Sequence, residues 1–138
     1  LALLYTIRRL VRQNTRGAHW NVRGEHFFTL HSKFEELYNE LIDKIDEIAE
    51  RILTLGHVPT HNFSDYLEVS TIKESKEVHD GKKCVENILL SLKTVIELQR
   101  ELLDITEKAN DEGTNTLISD YIIKQEKEVW MYNAYLGQ

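Results

Sequence analysis

Only one cysteine, Cys84, stands among the 138 residues. A lone cysteine excludes an intrachain disulfide and every cysteine-rich zinc motif. Without disulfides the chain carries no mark of export, which favours the cytoplasm. Proline is nearly missing too, with Pro59 the sole example. Proline breaks helix interiors, so its scarcity suits a mostly helical chain. No apolar stretch reaches the roughly 18 uncharged residues that a membrane-spanning helix needs. No secretory leader is visible. The pattern opens inside a helix at Leu1, which reads as a chain lacking its natural N-terminus. Positive charge is in deficit, with 17 Lys and Arg against 23 Asp and Glu, a net charge of −6. That balance disfavours a surface built for nucleic acid. It suits attraction of metal cations, and equally plain solubility.

The periodicity that is present predicts an all-α fold in a single domain, residues 1–138. Leu3, Leu4, Ile7, Leu10 and Val11 mark an amphipathic helix from Leu1 to about Gly17. A loop is expected at Asn21 to Glu25. The longest helix runs from Phe27 to about Leu55, stopped by Gly56 with Pro59 beyond. Thr60 to Glu77 is polar and reads as a long connection with one short helix near Phe63 to Leu67. Helical spacing returns from Gly81 to Lys108. A turn is expected over Asn110 to Thr114, around Gly113, and a last helix from Thr116 to about Leu136. Four long helices with a short extra one in the middle connection make a four-helix bundle.

On the longest helix the side chains fall into three stripes at about 100° per residue. Leu30, Phe34, Leu37, Leu41, Ile45, Ile48 and Ile52 form a core face. Lys33, Glu36, Glu40, Lys44, Glu47 and Arg51 form a solvent face. The third stripe holds His31, Glu35, Asp46 and Glu50, with Tyr38, Asn39 and Ile42 beside them. His31 and Glu35 are i, i+4 neighbours and can meet one ion, as can Asp46 and Glu50. The two pairs lie 15 positions apart, about 22 Å along a helix, so one ion cannot join them within one chain. Two copies of the helix packed antiparallel about a two-fold axis remove the difficulty. An axis just after Glu40 pairs residues whose numbers total 81. His31 then meets the partner's Glu50, and Glu35 meets the partner's Asp46. Tyr38 and Ile42 fill the contact between the two sites. His19, just before the loop, is placed to add a second nitrogen. Mixed nitrogen and carboxylate donors suit iron, manganese or zinc, and argue against copper(I) or an iron–sulfur cluster. Acids and histidines on a helix flank are, singly, usually solvated surface; the matched pairing distinguishes this set.

The stretch RGAHWNVRGEHFFTLHSKFEELYNELIDKIDEIAERILTLG, Arg16 to Gly56, closely resembles the Dps family, the mini-ferritins. Its marks are a His-Trp pair, a second histidine twelve residues on, then acids at +4, +15 and +19 from that histidine. EKEVWMYNAYLG, Glu126 to Gly137, resembles the family's last helix. The resemblance implies a ferritin-like four-helix bundle assembled as a hollow dodecamer built on two-fold dimers. It implies ferroxidase ligands at His19, His31 and Glu35 of one subunit and Asp46 and Glu50 of its mate. It further implies oxidation of Fe(II) to Fe(III), preferably by hydrogen peroxide, storage of ferric mineral, and protection against oxidative damage. Many members carry Asp where Glu35 stands, and either carboxylate binds iron. Trp20 is similar to the family tryptophan beside the site, an electron relay or a packing residue. Asp111, Glu112 and Asp120 are the candidates for acidic pores, although Thr116 stands where an aspartate is common. The absence of any Glu-x-x-His pair argues against a di-iron site inside one bundle.

DNA binding in that family often rests on a basic flexible tail, and none is visible in these residues. Arg8, Arg9, Arg12 and Arg16 cluster on the first helix, where they read as partners for acids across the bundle or at an interface. DNA is therefore disfavoured as a partner. The alternatives to a ferroxidase are a nucleoid-binding DNA-protection protein and a metal-independent helical shell. His26, His57, His61 and His79 read as surface, and Cys84 as buried packing.

Overall fold

The computed structural model describes all residues from Leu1 to Gln138 as five helices. They are α1 (Ala2–Asn21), α2 (Phe27–Thr54), α3 (Phe63–Val69), α4 (Gly81–Lys108) and α5 (Glu112–Tyr135). The one short β-bridge joins Arg23 to Asp80. No helix is long and apolar enough to cross a membrane. The residues group into two compact units, Leu1–Ile88 and Leu89–Gln138.

In the first unit α1 and α2 form an antiparallel hairpin. The expected core face of α2 is buried along its whole length, from Leu30 to Ile52, with Phe34 and Ile48 fully enclosed. Each such side chain stabilises the fold by about 1.5–3 kcal/mol through removal from water. Leu4, Ile7, Leu10 and Val11 of α1 are buried as the periodicity requires. α2 stops where Gly56 takes a positive φ of 88°. There the amide of His57 donates to the Ile52 carbonyl and that of Gly56 to the Leu53 carbonyl. This cap satisfies carbonyls that the helix end leaves open. Tyr66 of α3 is buried, and its hydroxyl meets that of Tyr5 at 3.1 Å. Cys84 is buried, as expected; burial, and then the charge of Asp80, push its thiol pKa upward.

In the second unit α5 runs antiparallel to the later part of α4. Gln99 donates to Gln125 at 2.6 Å, both buried, and Arg100 pairs with Glu126 at 2.9 Å. Asn115 donates to the Leu103 carbonyl and to the Thr106 hydroxyl.

Three sequence expectations are corrected. α1 runs to Asn21 rather than ending near Gly17, so His19, still just ahead of the loop, lies in the last turn of the helix. α5 starts at Glu112, not Thr116, because the carboxylate of Asp111 accepts from the Thr114 amide and caps the helix. Gly113 is therefore helical, and the turn is made by Asn110, the only non-glycine residue with a positive φ. Asparagine tolerates that conformation better than most residues. Lys44, assigned to the solvent face of α2, is buried and paired with Glu40 at 2.7 Å. Its long apolar stem covers the core while the ammonium finds an acid.

Candidate metal centre

The helix spacing of α1 and α2 brings His19 and His31 face to face. Their rings stack with centroids 3.8 Å apart and planes 17° from parallel. The two residues exchange hydrogen bonds with each other's backbone. Nδ1 of His19 lies 2.6 Å from the His31 carbonyl, and Nδ1 of His31 lies 2.8 Å from the His19 carbonyl. A carbonyl only accepts, so each Nδ1 must carry the proton and donate. In the neutral ring each Nε2 then keeps its lone pair. Histidines that bind metals are usually held in this way, with one ring nitrogen donating to a carbonyl and the other on the ion. Phe27 stacks on the other side of His31 at 4.9 Å, and Tyr38 meets the His19 ring edge-on at 5.2 Å. His19 is buried and His31 partly so. These ring contacts fix both imidazoles before any ligand arrives.

The carboxylates are placed differently. Glu35, Asp46 and Glu50 are all exposed, and none has an ion-pair partner in its own chain. Asp46 lies level with the start of α1. Tyr5 there has its hydroxyl pKa pushed up to about 12, by burial first, then by the Tyr66 hydroxyl, with Arg9 opposing and Asp46 adding a smaller upward push. His31 and Glu35 thus stand at one end of the hairpin and Asp46 and Glu50 nearer the other. Nowhere in one chain do three or more His, Cys, Asp or Glu side chains converge on a point that could hold a metal ion. Within one chain the two histidines and the Asp46–Glu50 pair therefore stand as separate groups.

The surrounding surface is apolar for an exposed face. Ile42 is 44% exposed, Trp20 55% and Phe28 83%. Trp20 is consequently not a packing residue within its own chain. The Arg16 guanidinium lies over its ring, 4.7 Å from the centroid, and 5.6 Å from that of Tyr38. Sequence reasoning grouped Arg16 with acids and overlooked its stacking; the i, i+4 spacing to Trp20 was the available signal. Phe27, the second ring on His31, was also overlooked, although its own i, i+4 spacing announces it.

The remaining candidates sit elsewhere. Asp111 is engaged as the cap of α5, while Glu112 and Asp120 are exposed. His26, His57, His61 and His79 are exposed, as the sequence reading expects.

Residues 10–138 match a family profile described as a ferritin-like domain. A DNA protection during starvation protein of Porphyromonas gingivalis is 42% identical over 122 residues, spanning 88% of this chain and 77% of that protein. A solved Dps protein of Vibrio cholerae, described as belonging to a superfamily of ferritin-like diiron-carboxylate proteins, is 46% identical. It superimposes with a TM-score of 0.96 over 98% of this chain and 85% of its own. A Dps variant of Listeria innocua, in which two histidines twelve positions apart are glycine, is 26% identical. Its TM-score is 0.94, over 98% of this chain and 90% of its own.

Proposed function

Because the chain belongs to the Dps branch of the ferritin-like family, we propose that it oxidises Fe(II) at sites shared by two copies of itself and stores the ferric product. The observation that carries this reading is the split donor set. Two imidazoles are pre-oriented on one end of the hairpin, while exposed, unpaired carboxylates wait on the other end of the same face. An antiparallel second copy completes each half with the other. The proposed ligands are His19, His31 and Glu35 from one subunit with the partner's Asp46 and the partner's Glu50. The spacing of His19 and His31 equals that of the two histidines replaced in the Listeria innocua variant.

Iron is substrate and cargo here. Two Fe(II) each give one electron to hydrogen peroxide, the O–O bond breaks, and two protons complete two waters. The chain's own residues do three things in this step. Deprotonated Nε2 atoms and carboxylates bind Fe(II), and bind Fe(III) more strongly because its charge is higher. The Phe27, Tyr38 and Ile42 side chains restrict water around the donors. Trp20, next to His19 in the chain and exposed, is the ring assigned to supply or quench a stray electron. Glu112 and Asp120 are the exposed acids assigned to iron passage. The exposed apolar residues around the site are the contact surface of the two-fold dimer, on which a dodecamer is built. Residues 1–138 act as one ferritin-like domain, and protection of DNA follows from removing Fe(II) and peroxide together.

The reaction is tested by adding Fe(II) anaerobically with limiting peroxide. About two Fe(II) should be consumed per peroxide, without hydroxyl radical in a spin-trap assay. Consumption near one Fe(II) per peroxide with trapped radical would mean uncontrolled solution chemistry.

A further inference from the structure

Arg9, Arg12 and Arg16 follow one another on α1 at three- and four-residue spacing, so their stems share one stripe. They form one wall of a cavity of about 480 Å³ between α1 and α3. Phe63, Tyr66 and Leu67 form the other wall, and no proposed metal donor borders the space. The one acid on its lining, the exposed Glu74, makes no ion pair with the arginines, nor does any other acid of the chain. Nε of Arg12 and Nε of Arg16 are buried without a hydrogen-bond acceptor. Buried donors left in that state are rare. Arg9 rests on the Tyr66 ring at 4.9 Å and Arg16 on the Trp20 ring at 4.7 Å. Such stacking orients a guanidinium but does not neutralise it. The crowding has a cost: burial, then the charges of Arg16 and Arg9, lower the pKa of Arg12. Three cations are gathered here with no carboxylate paired to them.

The walls are held in place. Asn14 donates to the Lys73 carbonyl and accepts from the Ser75 amide, both at 2.9 Å, which ties the loop around Glu74 to α1. The buried Tyr66 donates to the Thr60 carbonyl at 3.0 Å and meets the Tyr5 hydroxyl, which anchors α3. Phe63 is 78% exposed and stands edge-on to Tyr66, with ring centroids 6.0 Å apart. The volume falls in the range of small-molecule sites, about 300–1,000 Å³, and exceeds what a bare inorganic anion fills. A nucleic-acid strand needs cations along an open track, whereas these are partly buried between two helices. We propose that this cavity binds a small aromatic carboxylate. Its carboxylate takes the guanidinium fork of Arg12, which stacks on no ring, while Arg9 and Arg16 add attraction. Its ring lies against Phe63 and Leu67. A planar fork matches a carboxylate through two parallel hydrogen bonds, and the apolar wall favours an organic anion over an inorganic one.

The test is calorimetric titration of the assembled protein with 2-naphthoate, with neutral 2-naphthylmethanol and inorganic phosphate as comparison probes. Naphthoate should saturate at about one per subunit, and each comparison probe should bind roughly tenfold more weakly, because each lacks half of what the cavity recognises. Arg12→Met keeps the apolar stem and removes the charge; it should weaken naphthoate binding roughly tenfold or more. Phe63→Ala changes an exposed ring that the fold does not need; it should weaken naphthoate roughly fivefold and leave phosphate unchanged. Circular dichroism should show both variants as helical as the parent. Naphthoate binding that neither variant changes places the ligand elsewhere and overturns the proposal. Phosphate binding as tightly as naphthoate overturns it too, as the sign of a site for inorganic anions only. No saturable binding to the assembled protein also overturns it, since a second copy then covers the cavity.

Discussion

Replacing His31 and Asp46 together by alanine should slow peroxide-driven Fe(II) consumption by about 100-fold or more, down to the rate of iron in buffer. The size follows from the donor set. In the proposed shared site each centre would lose one nitrogen from one copy and one carboxylate from the other, leaving too few ligands to hold Fe(II) against water. His31→Ala has a second effect, because its Nδ1 bond to the His19 carbonyl and its stack on the His19 ring vanish as well. His19 loses its orientation along with its neighbour. Stopped-flow absorbance of ferric species would measure this, with circular dichroism reporting that the helices persist. Both positions are only partly buried or exposed, so the fold should tolerate the changes.

Phe34→Ala should destabilise the protein by about 3–5 kcal/mol, the range for removing a buried aromatic ring. Phe34 has no exposed surface, and at i+3 from His31 it lies one turn on, on the adjoining face of the helix. The cavity would relax the α1–α2 hairpin that keeps the two imidazoles stacked. Chemical denaturation should give a lower midpoint with little change in slope. Metal affinity should fall as well, since loosened rings must be ordered again on binding.

Much of this was legible in the sequence because the helices are long and strongly patterned. All seven expected core positions of α2 are buried, with Lys44 the one addition, since only one register satisfies an apolar stripe over about six turns. α4 was readable from Gly81 to Lys108 for the same reason. The errors fall where local side-chain bonds overrule composition. Gly113 looked like the turn, but Asp111 reaches forward to the Thr114 amide and starts the helix early. Lys44 looked solvated, but its stem is apolar and Glu40 lies one turn away. At the site, the residue types and their spacing were visible, whereas the reciprocal histidine–carbonyl bonds were not. Those bonds join residues twelve positions apart on two helices, and they depend on how α1 turns in its last four residues, which periodicity does not fix. The arginines were visible as a cluster, but the stacking of Arg9 on Tyr66 and of Arg16 on Trp20 and Tyr38 emerges only once the hairpin is folded.

Co-assembly of two disabled chains, His31→Ala and Asp46→Ala, bears most directly on where a site is made. Each variant alone should be inactive. In a mixed dimer the Asp46→Ala chain still offers its histidines, and the His31→Ala chain still offers its aspartate, so one of the two cradles is whole. Equal mixing should therefore restore about a quarter of the parent's oxidation rate, because half the dimers are mixed and each holds one intact site. If the mixture stays as inactive as either variant, while mass spectrometry shows mixed dimers, then no cradle spans two chains.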